Sequence, residues 1–80
     1  MEKGFVLINC ELGAEDYIIE ELKTIPEVKS AHVTFGAYDV IAEIQAKSSQ
    51  EFDQILSHKI RSLSQVMSTM TLKATISESK

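Results

Sequence analysis

Residues 28–46, VKSAHVTFGAYDVIAEIQA, carry the pattern that decides the fold. From Val28 to Phe35 polarity alternates, with Ala31, Val33 and Phe35 on one side of the chain and His32 and Thr34 on the other. Successive side chains of a strand point to opposite faces, so this alternation predicts a strand with one face toward a core. Gly36 supplies the backbone freedom for a reversal. From Tyr38 to Ala46 the alternation resumes: Val40, Ala42, Ile44 and Ala46 share one face, and Ile41, Glu43 and Gln45 the other. Two such runs about a glycine predict an antiparallel hairpin, dry on one side and partly wet on the other.

On the amino-terminal side, Gly4 to Cys10 (GFVLINC) is apolar on both faces, Phe5 and Leu7 against Val6, Ile8 and Cys10, which predicts a central strand covered on both sides. Gly13 breaks that strand, and Glu15 and Asp16 suit the positive end of a helix. Ile18, Ile19, Leu22 and Ile25 recur at helical spacing, and Pro26 ends the helix near Thr24. On the carboxy-terminal side, Ser48 and Glu51 have capping-box spacing and open a second helix through Phe52, Ile55, Leu56, Ile60 and Leu63. Lys59 and Arg61 lie near its end, where positive charge suits the dipole. Val66 to Ile76 returns to strand character, and Ser77 to Lys80 is expected to fray. The order strand, helix, strand, strand, helix, strand predicts an α+β, ferredoxin-like βαββαβ fold, with a four-stranded antiparallel sheet and both helices on one face. The apolar residues left on the other face of the first strand predict a homodimer formed through that face.

Eighty residues form one domain, 1–80, with 44% hydrophobic and 25% charged residues, an ordinary globular composition. A net charge of −4 argues against direct nucleic-acid binding, which needs a clustered basic footprint. Cys10 is the single cysteine, so no intramolecular disulfide forms and a reducing, cytoplasmic location is expected. No apolar run approaches the roughly 20 residues that span a bilayer, and the first strand follows Met1 without a signal peptide, so neither membrane association nor export is expected.

Catalysis and metal binding have little to rest on. His32 and His58 fall on different elements without metal-ligand spacing, and the neighbours of Cys10 offer nothing to stabilise a thiolate. Met67 and Met70 are expected to fill apolar space. An RNA-recognition module shares this strand order but needs stacking aromatics on the central strands and a basic sheet. No catalytic residue, metal or cofactor is therefore predicted. The turn Thr34-Phe35-Gly36-Ala37-Tyr38-Asp39 gathers a glycine, an aromatic ring and a carboxylate at one end of the sheet. A carboxylate can accept from an ammonium and backbone amides can meet a carboxylate, so the group suits an amino acid. The same residues also serve a plain turn, with Gly36 reversing the chain, Asp39 accepting local amide bonds and Tyr38 packing.

Taken together, Val6-Leu7-Ile8-Asn9, Leu22 to Val28 (LKTIPEV), Phe35 to Val40 (FGAYDV) and Val66 to Leu72 (VMSTMTL) resemble the effector-binding domain of the Lrp/AsnC family of transcriptional regulators. The resemblance runs from about Phe5 to Ile76 and implies sheet-face dimers, higher rings and amino-acid effectors held in clefts between subunits. It implies a ligand site at Gly36, Tyr38 and Asp39, with Thr69 and Thr71 as weaker members. Gly36 would admit ligand to the backbone, Asp39 would orient an ammonium and Tyr38 would shape the pocket. Full-length relatives carry an amino-terminal helix-turn-helix domain, for which no residues are expected here, so a regulatory effect would pass through co-assembly with such relatives. Three functions follow: a non-enzymatic amino-acid-binding regulatory module, an oligomerisation adaptor without ligand, and an enzyme of the dimeric α+β barrel type. The last would need an acid/base group in the cavity, where Asn9 is the one polar residue of the Phe5/Leu7 face.

Overall fold

A computed structural model describes residues 1–74. The elements are β1 (Glu2–Cys10), α1 (Glu15–Lys23), β2 (Val28–Val33), β3 (Val40–Ala46), α2 (Ser49–Ile55), a π turn (Leu56–Ile60) and β4 (Val66–Ala74). The sheet order is β2-β3-β1-β4, antiparallel throughout, which is the expected ferredoxin-like arrangement. The carboxy-terminal end predicted for the last strand, and the tail from Ser77, lie outside the described residues.

Both helices cover one face. Val6 and Ile8 of β1 and Val40, Ala42 and Ile44 of β3 are fully buried there against Ile18 and Leu22 of α1, Phe52 of α2 and Ile60. The helical stripe and the strand alternation thus meet in a single core, in which burial of apolar area supplies the main driving force. Phe5, Leu7 and Ile41 project from the opposite face and are only partly covered by their neighbours. No helix among the described residues is long and apolar enough to cross a membrane.

Gly4 takes its place in this core for a steric reason. A Cβ there would lie 2.7 Å from Cζ of Phe52 and 2.8 Å from the carbonyl oxygen of Leu72. Lys73, opposite Gly4 on β4, fixes the start of α2 by donating to Asp53 at 2.8 Å and to Ser49 at 3.0 Å, with its ammonium over the Phe52 ring.

The capping box at α2 is present with one shift. Ser48 Oγ accepts from the Glu51 amide at 3.1 Å, and the Glu51 carboxylate accepts from the amide of Lys47, one residue before the cap. Ser48→Ala should therefore lower stability by about 1 kcal/mol in urea unfolding, as loss of an N-cap does; an unchanged midpoint would mean water replaces the hydroxyl at no cost.

The second helix differs from the expected single α-helix to Leu63. After Ile55 it widens by one residue, and the Arg61 amide donates to the Leu56 carbonyl at 2.9 Å. Leu56 and Ile60 both stay buried through this turn, and Arg61 faces β4, donating from Nε to Thr69. Periodicity could not show the insertion, because residues 56 and 60 fit an α-helical stripe equally well.

Candidate ligand site at the β2–β3 turn

The strands flanking Gly36 are shorter than predicted, because residues 34–39 satisfy their backbone outside the β2–β3 ladder. The Thr34 amide donates to the Asp39 carbonyl at 2.9 Å, and the Thr34 hydroxyl donates to the Tyr38 carbonyl at 2.8 Å. The Asp39 amide donates to the Ile8 carbonyl at 2.9 Å, and Asp39 Oδ2 accepts from the Cys10 amide at 2.9 Å. Asp39 is thus stitched twice to the end of β1, and the Cys10 thiol also lies within hydrogen-bonding reach of its carboxylate. Gly36 has φ of 110°, a conformation that L side chains rarely adopt, with open space where a Cβ would stand. Phe35, next to it, is 98% exposed.

Tyr38 reaches from this turn onto the uncovered sheet face, where its hydroxyl donates to Met70 Sδ at 3.6 Å. Met70 is opposite Leu7, which is opposite Ile41. One step nearer the end of the sheet, Asn9 donates to the Ser68 hydroxyl at 3.3 Å. The turn therefore borders an apolar surface with a polar pair at its rim. Met70 and Met67 were expected to pack, but they are 48% and 65% exposed in the single chain. Only the cross-strand register reveals that Met70 lies under Tyr38.

Thr69 and Thr71 occupy the other face. They stand opposite Ile8 and Val6, on the helix-covered side. Thr69 Oγ1 accepts from Arg61 Nε at 3.2 Å, and the buried Thr71 hydroxyl has no partner among the described residues. The single chain thus brings Gly36, Tyr38 and Asp39 together and leaves both threonines on the far side of the sheet. Cys10, buried beside Asp39, has its thiol pushed up by burial and then by the Asp39 charge, which keeps it protonated at neutral pH and unsuited to nucleophilic work. Among the described residues no cluster of three or more His, Cys, Asp or Glu could hold a metal ion.

A four-stranded sheet open on one face, with a tethered glycine turn at its edge, defines a class of small α+β domains by architecture, one not tied to a single chemistry. Residues 3–77 match the family model described as the Lrp/AsnC ligand binding domain, and the chain belongs to that family. Among curated relatives it is 27% identical over 68 residues to the uncharacterized HTH-type transcriptional regulator PH0140 of Pyrococcus horikoshii, covering 85% of this chain and 43% of that one. The chain thus spans less than half the length of this relative. Among solved structures it is similar to the hypothetical protein PHS023 from Pyrococcus horikoshii, with 32% identity, a TM-score of 0.91, and 98% and 94% of the two chains covered. The fold is shared at 14% identity and a TM-score of 0.86 with a transcriptional regulator from Neisseria meningitidis, NMB0573, solved as an L-Met complex, over 99% of this chain and 53% of that one.

Proposed function

We propose that this chain is a non-enzymatic regulatory module that assembles through its uncovered sheet face and binds an amino acid at the β2–β3 turn, between subunits. The observation that carries the proposal is the contact of Tyr38 with Met70, which joins the glycine turn to an apolar surface that a second copy would cover. Gly36 leaves the backbone open to a ligand, the remaining lone pairs of the Asp39 carboxylate would accept from an ammonium, and Tyr38 closes one side. Thr69 and Thr71 would take part only from the β4 edge. The L-Met complex of the Neisseria regulator supports an amino-acid ligand for this fold. Regulation would then run through joint assembly with full-length relatives, and a ligand would shift that assembly by its unequal affinity for the two states.

One observation favours the adaptor function instead: Asp39 already accepts the Cys10 amide, which is sufficient reason for a carboxylate there without any ligand. Thermal unfolding against the amino acids, with size followed by light scattering, separates the two. A ligand at about 100 times its dissociation constant stabilises the native state by about 2.7 kcal/mol. The proposal predicts a selective rise in Tm that disappears in Gly36→Val and Asp39→Ala. No rise with any amino acid, in a stable oligomer, would leave the adaptor.

A further inference from the structure

Lys3, Lys23, Lys59 and Lys73 each pair with a carboxylate, whereas the other two described lysines, Lys29 and Lys47, make no ion pair among the described residues. Both line one cleft of about 220 Å³, at the end of the sheet opposite the β2–β3 turn. The cleft lies between the α1–β2 loop and the start of α2. Met1 and Pro26 give it apolar walls, and Glu27 and Glu51 line it as well.

Local backbone brings both lysines there. Val28 is opposite Ile44 and Ser30 opposite Glu43, so Lys29 sits on a bulge with no residue facing it. Bulges at sheet edges re-aim a side chain, and Lys29 Nζ turns back to donate to the Pro26 carbonyl at 3.2 Å. An ammonium has three protons to donate, so two are left. Lys47 stands where β3 gives way to the α2 cap; its amide donates to Glu51 Oε1 at 2.9 Å, and its side chain is exposed. The two carboxylates are engaged elsewhere. Glu27 turns Oε1 toward Lys59 at 3.9 Å, which balances its charge, and Glu51 caps the backbone before α2. The lining side chains therefore hold two positive charges against the single unpaired negative charge of Glu51.

We propose that this cleft binds a short-chain monocarboxylate, held between Lys29 and Lys47, with its hydrocarbon part against Pro26 and Met1. Charge-assisted bonds from an ammonium to a carboxylate are about twice as strong as neutral ones. The charge balance selects an anion of one charge. A phosphate monoester, with about −1.5 to −2 at pH 7, overshoots it and is repelled by Glu51, and an amino acid, with no net charge, leaves it unmet. Drug-sized ligands occupy pockets of roughly 300–1,000 Å³, so the smaller cleft admits a body of only a few carbons. The site shares no residue with the β2–β3 turn and stands whether or not that turn binds an amino acid.

The test is an NMR titration of the ¹⁵N-labelled full chain at pH 7 with sodium butyrate, 2-aminobutyrate, sodium phosphate and sodium chloride at matched ionic strength. The backbone amides of Lys29 and Lys47 report on the cleft, and those of Gly36 and Asp39 on the turn. The expected result is a saturable butyrate shift at Lys29 and Lys47 that spares Gly36 and Asp39 and is absent with chloride. At the cleft, 2-aminobutyrate and phosphate should bind at least about tenfold more weakly than butyrate. Lys29→Gln and Lys47→Gln should each weaken butyrate at least about tenfold, as loss of a charge-assisted bond requires. Both side chains are exposed, so both variants should keep the wild-type Tm. Unsaturable shifts common to all four solutes, butyrate binding that survives either substitution, or equal affinity for phosphate or 2-aminobutyrate would overturn the inference.

Discussion

Replacing Gly4 by alanine should destabilise the protein by about 2 kcal/mol, a large part of the margin available to so small a domain. Alanine in a strand ordinarily gains, since it reduces the freedom of the unfolded chain. Here the added methyl meets the Phe52 ring on one side and the Leu72 backbone oxygen on the other, both closer than 3.0 Å. Phe52 is fully buried, and Leu72 is held in the β1–β4 ladder opposite Phe5. Neither can withdraw without opening the core or the sheet, so overpacking outweighs the entropic gain. With a urea slope of about 1 kcal/mol/M, the unfolding midpoint should fall by about 2 M. A midpoint that is unchanged or raised would show that Phe52 has room to turn and that the close approach of β1 to α2 is not a constraint.

The second large effect concerns association. Leu72 is 53% exposed in the single chain and lies on the uncovered face beside Phe5. Leu72→Asp should leave the monomer fold intact, since the new carboxylate meets water. If two copies bury this face against each other, each would place an unpaired charge in the interface, at a cost of about 3 kcal/mol or more. That corresponds to at least about a hundredfold weaker dimer, visible by sedimentation equilibrium as a shift to monomer. A dimer of undiminished affinity would move the interface elsewhere, with the exposed Phe35 and Leu12 at the sheet end as the next surfaces to probe.

Much of this architecture was open to inspection in the sequence because it depends on local pattern. The alternation of residues 28–46, the stripe from Ile18 to Ile25 and the Ser48–Glu51 cap each fix an element through its near neighbours, and the element order then restricts the topology. What escaped depends on contacts distant along the chain. The steric need for Gly4 comes from Phe52 and Leu72. The tether of Asp39 joins residues 29 positions apart. The face of Thr69 and Thr71 follows from pairing with β1, across a bulge at Met67 that puts Val66 on the same face as Thr69. Residue identity placed Gly36, Tyr38 and Asp39 at one turn; it could not place Met70 beneath Tyr38, which requires the register.

The central claim is that the β2–β3 turn binds an amino acid only where a second subunit completes it. The most direct measurement is isothermal titration of the amino acids into the wild-type assembly and into monomeric Leu72→Asp. Saturable binding of at least one amino acid to the wild type, abolished in the monomer although Gly36, Tyr38 and Asp39 are untouched, is the predicted result. Equal affinity for both, or no binding to the intact assembly, would contradict it.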